Sequence, residues 1–398
     1  DGTLLGWVAS RAHHAEIGGT RPGSMPPSAT TLVEEGVVLP PTRFDHDTLH
    51  TLLTQAPWPT RALADNVADL VAQRAANRYG ASALRALALA HVTERIHRLQ
   101  TLCQERGRDL VQSVLRGLGP GTRHGSATCD DGWVVRVRVD VHPDGTAVVD
   151  FDGSSGPHPG NRNTPPAVVR AAVLFVLRML VDVPVPLSDG LLAPVDIRIP
   201  EGTFLNPDFP EDPRHCPAVV GGNTEVSQKV AEALVDALGI AADSQGTMNN
   251  VLFGNSRFGY YETICGGAGA TVDAPGASAV HTHMTNTRIT DPEILETRAP
   301  VRVQRFAVRR GSGGPGLRRG GDGIVRELVF LEPLAVSVLA GGRRVAPRGR
   351  AGGGDGAVGR HVLHRSDGTT VVNPDAVDAN AGDRLVVETP GGGGWGPA

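Results

Sequence analysis

Tyr260-Tyr261-Glu262-Thr263-Ile264-Cys265-Gly266-Gly267-Ala268-Gly269-Ala270 leads, across a short Pro/Gly-containing insert, into Val280-His281-Thr282-His283-Met284-Thr285-Asn286-Thr287-Arg288-Ile289-Thr290-Asp291. The stretch holds two of the chain's three tyrosines, a glycine-rich turn and a polar run too dense for a plain core strand. Read as extended, Val280 to Arg288 sends its side chains alternately to two faces. His281, His283, Thr285 and Thr287 then share one face, and Thr282, Met284, Asn286 and Arg288 the other. Same-face neighbours on a strand lie roughly 6.5–7 Å apart, so the two imidazoles converge on one bound group. The pattern is equally compatible with a polar strand whose groups its neighbours satisfy.

Working outward, 398 residues suffice for one large or two ordinary domains with a real core. Lys+Arg (38) nearly balances Asp+Glu (42), a net charge of −4 that gives no electrostatic reason to expect nucleic acid or an anionic membrane as partner. With 51 glycines, 30 prolines and 4% aromatics, many turns and irregular loops are expected. Lys229 is the single lysine, and it sits in Gln228-Lys229-Val230. A phosphate-binding P-loop needs Gly-Lys followed by Ser or Thr, so nucleotide chemistry requires another nucleotide fold or another subunit. Cys103, Cys129, Cys216 and Cys265 are scattered and fit a reducing, cytoplasmic compartment. The apolar run from Ala171 to Val185 is broken by Arg178 and Asp182 and is not a membrane span. No signal peptide is visible. The chain opens on the turn dipeptide Asp1-Gly2 without an initiator Met, so the natural polypeptide is expected to begin earlier.

Residues 3–9 read as a buried strand that enters Ser10-Arg11-Ala12-His13-His14-Ala15-Glu16-Ile17-Gly18-Gly19. Two imidazoles and a carboxylate so close together suit half of a Zn, Mn or Fe site, and equally a His-rich surface loop. Apolar spacing from about Asp47 to Leu118 predicts helices, with Pro59 placed to start one and Gly80 to end it. At Gly132 the period switches to two. Trp133–Val141 and Thr146–Phe151 flank His142-Pro143-Asp144-Gly145, a β-hairpin pattern with Arg136, Arg138 and Asp140 on its wet face. A helix follows near 165–181 and a short strand at Val195–Ile199. Gly221-Gly222 runs into a helix with Asn223 or Thr224 as N-cap and Gly239 as terminator. Its N-terminal N–H groups suit an anion, and an ordinary capped helix has the same pattern. Strands are predicted at 301–308, 323–330, 335–339, 360–363, 370–372 and 384–388. The arginines between them, including Arg343, Arg344, Arg348 and Arg350, read as ordered loops that contact carboxylate or phosphate. The closing Glu388–Ala398 segment, with Trp395 among glycines, is compatible with a disordered tail or with backbone laid close against a site. The expected fold class is α+β, a β-rich mixed architecture with a helical section near residues 47–118. It forms one unit over 1–398 with subregions 1–46, 47–118, 119–213 and 214–398.

Taken together, Ala12–Gly19, Gly23–Pro27, Gly221–Gln228, Ser244–Asn250, Tyr260–Thr263, His281–Asp291, Gly311–Gly314 and Glu388–Gly396 stand in one order. That order resembles the hydantoinase B/oxoprolinase family over essentially the whole chain. The resemblance implies an ATP-dependent cyclic amide hydrolase. ATP would be bound on a partner hydantoinase A-type subunit or a fused A half with an actin-like ATPase fold. The A part would phosphorylate the lactam or imide oxygen, and the B part would complete ring opening of 5-oxoproline or a hydantoin. The complex would be a cytoplasmic hetero-oligomer with no nucleic acid or membrane partner. The resemblance also implies a divalent metal, with His13, Glu16 and His14 as ligands beside an upstream Asp/His segment that these residues do not include. Glu16 stands where Asp is common in the family, and Ser10 where Asn is common. His281, His283, Glu225 and Arg288 are the expected catalytic residues, and Asn223, Gln228 and Glu262 the expected substrate contacts. A subunit of an ATP-dependent ketone carboxylase, which the family also includes, and a non-catalytic remnant are the competing readings.

Overall fold

Apolar spacing makes the segment 47–118 helical, and packing decides where the helices break. The computed structural model describes residues 4–398; the Asp1-Gly2 turn lies outside them. A single turn, α1 (Leu32–Glu35), precedes α2 (His46–Thr54), α3 (Leu63–His91) and α4 (Thr93–Leu118). Gly80 does not end a helix. It lies within α3, where an added Cβ would stand 2.8 Å from Val8 Cγ1, so the missing side chain lets the N-terminal segment lie across the helix. The break falls at Val92, with φ of +56°. The strand expected at 3–9 is absent over its described residues. They have no strand partner, and Trp7 is 89% exposed. No helix among the described residues is long and apolar enough to cross a membrane.

Strand alternation holds where it is clean. In β1 (Gly121–Thr128), β2 (Val134–Val141), β3 (Ala147–Asp150) and β4 (Val195–Arg198), the valines at 135, 137, 139 and 141 point inward. The four strands form a sheet in chain order, antiparallel except for the parallel β3–β4 pair. Its inner face packs on α5 (Pro166–Leu180) and α6 (Ser227–Leu238) in the first hydrophobic core. Gly239 ends α6 in the left-handed conformation at φ +64°, the role its position predicts.

A second core lies between two further sheets. One runs in the order β12-β9-β5-β6, from Ala376–Ala379, Leu334–Leu339, Asn250–Gly254 and Gly259–Glu262. The other runs β11-β10-β13-β8-β7, from Thr370–Val372, Arg360–His364, Arg384–Glu388, Ile324–Phe330 and Val301–Val308. A short α7 (Pro292–Arg298) precedes β7. The α+β class is as expected.

The glycine-rich loops between these strands form a bundle of their own. Segments near 266–270, 312–321, 347–357 and 390–396 run beside one another and exchange backbone hydrogen bonds. Among these are Gly267 N to Pro390 O (3.0 Å), Gly392 N to Gly321 O (2.9 Å) and Arg350 N to Gly394 O (2.9 Å). An added Cβ at Gly392 would lie 2.0 Å from Ala268 O, a distance only glycine tolerates. The closing segment is therefore ordered, with Trp395 bonded through its backbone to Arg318.

Candidate functional site

The cavity begins with a turn. Gly18, at φ +92°, passes so close to Trp58 that a Cβ would lie 2.2 Å from its carbonyl oxygen. The Glu16 carboxylate secures this turn from inside. Its Oε1 accepts from Gly18 N (2.8 Å) and Arg61 Nη1 (2.9 Å), and its Oε2 from Arg61 N (2.7 Å) and Thr60 Oγ1 (2.9 Å). The donors from Thr60 and Arg61 lie just before α3, where a negative charge also favours the helix end. The carboxylate thus anchors the turn, and the residues before it, His13 and His14, line a cavity of about 490 Å³.

Its other walls come from distant parts of the chain. α5 contributes Ala167, Val168 and Ala171; the segment entering α6 contributes Val219, Val220, Asn223 and Thr224; Arg11, Met25, Glu35, Tyr261 and Met284 are among the rest. The His14 ring has a defined orientation. Its Nδ1 lies 2.5 Å from Asn66 Oδ1, while Asn66 Nδ2 donates to Glu16 O (2.7 Å) and Ala62 O (3.2 Å). Because the amide nitrogen must donate, its oxygen accepts from His14 Nδ1–H, which leaves Nε2 with the lone pair. His13 beside it is exposed.

Asn223 sits on a π-helical turn, Gly222–Val226, rather than on the N-cap of a regular helix. Such turns interrupt the regular ladder and recur at functional sites. Glu225 of the same turn faces away from the cavity. It accepts from Thr247 Oγ1 (2.9 Å) and Gly341 N (2.7 Å), and burial pushes its pKa up to about 7.

Two wall residues were not singled out by the sequence reading. Glu35 accepts from Val219 N and Val220 N at 2.9 Å each, tying α1 to the segment that carries Asn223; burial pushes it up to about 7. Burial pushes the Tyr261 phenol up to about 12. Its neighbour Tyr260 turns the other way and donates to Glu262 Oε2 (3.0 Å).

The stretch 280–288 is not extended, which overturns the expected sharing of faces. Thr285 N bonds back to Thr282 O (3.1 Å), and His283 has φ +49°, so a turn breaks the period-two pattern. Met284 reaches the cavity, while His281 and His283 are absent from its walls. The His283 ring packs edge-on against Phe175, 6.1 Å between centroids, and burial pushes its pKa down to about 4. Burial lowers His281 as well.

Gln228 Nε2 holds the turn by donating to Thr285 Oγ1 (3.0 Å) and Thr282 O (3.4 Å). Glu262 forms a buried ion pair with Arg326 (3.0 Å) and accepts from Thr290 N (2.9 Å). Arg288 is exposed. Of the expected site residues, the structure brings His13, His14 and Asn223 to one cavity. Glu225, Gln228 and Glu262 are buried in the framework behind it.

The family's sequence pattern, described as hydantoinase B/oxoprolinase, matches residues 1–398. The chain belongs to the hydantoinase B/oxoprolinase family. It is 42% identical to 5-oxoprolinase 1 of Arabidopsis thaliana over 99% of its own length, and it spans 33% of that protein. A putative D-/L-hydantoinase B-type subunit of Pseudomonas sp. is 30% identical, with 99% of this chain and 71% of the Pseudomonas protein covered. Among solved structures, the ATP-dependent caprolactamase of Pseudomonas jessenii superposes with a TM-score of 0.84 at 25% identity, covering 97% of this chain and 71% of that one.

The divalent metal that family membership implies finds a partial donor set here. His14 Nε2 is free to donate, and His13 stands beside the same cavity. Glu16 is not available, because the Arg61 guanidinium, the Thr60 hydroxyl and three backbone N–H groups occupy both of its oxygens. Among the described residues no group of three or more His, Cys, Asp or Glu side chains is placed to hold an ion. The His13–Glu16–His14 set therefore does not fit a metal by itself.

Proposed function

We propose that the chain is the B-type part of an ATP-dependent cyclic amide hydrolase, and that it opens the ring of a 5-oxoproline- or hydantoin-like substrate. The single observation that carries this reading is the cavity whose walls include both His14 and Asn223 beside an apolar face. A volume of about 490 Å³ suits a small ring and its activating group. Ala167, Val168, Met25 and Met284 would pack the ring methylenes. The Asn223 amide would donate to the phosphorylated ring oxygen and orient the carbon that water attacks. His14 Nε2 would take a proton from water as the water oxygen bonds to the carbonyl carbon. The ring C–N bond then breaks as the departing nitrogen takes up a proton, which leaves an acyl phosphate, and a second water converts it to the carboxylate and inorganic phosphate.

Nucleotide chemistry is assigned to an A-type ATPase, separate or fused, which would phosphorylate the substrate oxygen first. The absence of a Gly-Lys-Ser/Thr motif supports that division, as does similarity both to a separate hydantoinase subunit and to a much longer 5-oxoprolinase. A cytoplasmic hetero-oligomer goes with this reading. Glu225, Gln228 and Glu262 would act as positioning residues. His281, His283 and Arg288 belong to the loop that brings Met284 to the cavity.

The test is ATP-coupled ring opening of 5-oxoproline and hydantoin by the complete enzyme with its A part, with and without His14→Ala. The variant is expected to lose ring opening and retain association with the A part. A requirement of ATP turnover for bicarbonate would move the protein to the ketone carboxylases.

A further inference from the structure

Ring opening has a base in His14, but the proton that the departing nitrogen needs has no source so far. Three hydroxyls stand in the cavity wall, on Ser24, Thr224 and Tyr261. Two are spent inside the framework: Ser24 Oγ donates to Gly18 O (2.8 Å) and Thr224 Oγ1 to Val220 O (3.2 Å). Tyr261 is different. Its ring is half-buried, yet its hydroxyl has no hydrogen-bond partner among the described residues and is not sealed in the interior. A free hydroxyl in a cavity wall is a donor open to a ligand.

The strand accounts for this difference between neighbours. Tyr260 and Tyr261 follow one another on β6, at the edge of its sheet, so their rings leave on opposite faces. Tyr260 stacks on Phe253, 4.7 Å between centroids, and its hydroxyl is held between Glu262 Oε2 (3.0 Å) and Thr290 Oγ1 (2.7 Å). Tyr261 is turned to the other face, where the cavity lies. Its backbone is fixed opposite Leu252 of β5, which is fully buried. Burial and the nearby Glu225 carboxylate push the phenol up to about 12, so it stays protonated across the neutral range.

We propose that Tyr261 is a further catalytic residue, whose hydroxyl gives the proton that the ring nitrogen takes up as the C–N bond breaks. This role rests on the ring-opening reading proposed above. The phenol O–H bond breaks and an N–H bond forms as the electron pair of the C–N bond moves to nitrogen. The phenolate regains a proton from water, and His14 releases to solvent the one it took, so the protein ends as it began. Without a donor the nitrogen would leave as an anion far more basic than a phenolate, and a positioned acid contributes about 10²–10⁴-fold.

The experiment compares wild type with Tyr261→Phe in the complete enzyme with its A part, by ATP-coupled ring opening of 5-oxoproline and of hydantoin. Phenylalanine keeps the ring and removes only the hydroxyl. For 5-oxoproline, whose nitrogen leaves as an amine, kcat should fall about 100-fold with KM unchanged within about threefold. For hydantoin, whose nitrogen leaves as part of a urea that spreads its charge, kcat should fall less than about tenfold. The ratio of the two rates does not depend on how much of the variant folds. Equal losses on the two substrates, a change confined to KM, or an unchanged kcat for 5-oxoproline overturns the role of Tyr261 and leaves the ring-opening reading standing. Wild type that opens neither ring overturns both.

Discussion

The cavity beside His13 and the glycine bundle are both gathered from distant segments, yet one encloses space and the other excludes it. At the cavity, segments near 11–25, 165–171 and 219–224 are held apart by side chains such as Met25, Val168, Val220 and Met284. At the bundle, segments near 266–270, 312–321, 347–357 and 390–396 lack side chains where they meet, so backbone packs on backbone and no room remains. Glycine thus has two uses here. At Gly18 it turns the chain so that histidines face a void, and at Gly392 it removes the void altogether.

The sharpest way to break this comparison is Gly392→Ala. Its Cβ would stand 2.0 Å from Ala268 O, and a loss of about 3 kcal/mol or more is expected in calorimetric unfolding. Gly156→Ala, with nothing within 4 Å, should stay within about 0.5 kcal/mol of the parent. Equal stability of the two variants would show that the bundle tolerates side chains.

Next in size is His14→Ala, expected to slow ring opening by the complete enzyme about 100-fold or more, with only a small melting shift. His283→Ala should do the reverse, lowering the melting temperature and slowing turnover less than about tenfold, since its ring packs on Phe175 away from the cavity. A larger rate loss in His283→Ala would exchange the roles of the two histidine pairs.

Glu16→Gln keeps the shape of the turn but weakens its ion pair with Arg61, and about 2 kcal/mol of stability should be lost. Metal content of the complete enzyme should not change with it. A fall in metal content would return Glu16 to the ligand set.

The smallest effect is a pH dependence. The folded protein holds the His283 ring neutral, its pKa pushed from 6.5 down to about 4. The unfolded chain binds the proton below about 6.5, so the contribution is whole above that pH and is lost as pH falls towards 4. Wild type should therefore lose stability relative to His283→Phe as pH falls from 6.5 to 4 in denaturant titrations. A parallel response of the two proteins would place the ring in contact with solvent.

Legibility followed the range of the interaction. The valines of β2, the hairpin at His142–Gly145, the strands from Val301 onward and the Gly239 stop are local patterns, and all appear where periodicity and turn chemistry put them. The Gly80 stop failed because its deciding contact is Val8, more than seventy residues earlier. Alternation over 280–288 failed because Gln228 ties Thr282 and Thr285 into a turn. Glu35 had no role legible in the sequence because its donors lie on Val219 and Val220.

By itself the sequence determined the α+β class, most element positions, the lack of a P-loop and the clustering of His13 with His14, since each depends on residues close along the chain. Only the tertiary structure decided which polar groups meet empty space and which meet donors. Glu16 found Arg61 and Glu225 found Gly341, while His14 kept a free nitrogen. The physical reason is that a hydrogen bond or a close contact is fixed by distance in space, and separation along the chain carries no record of that distance.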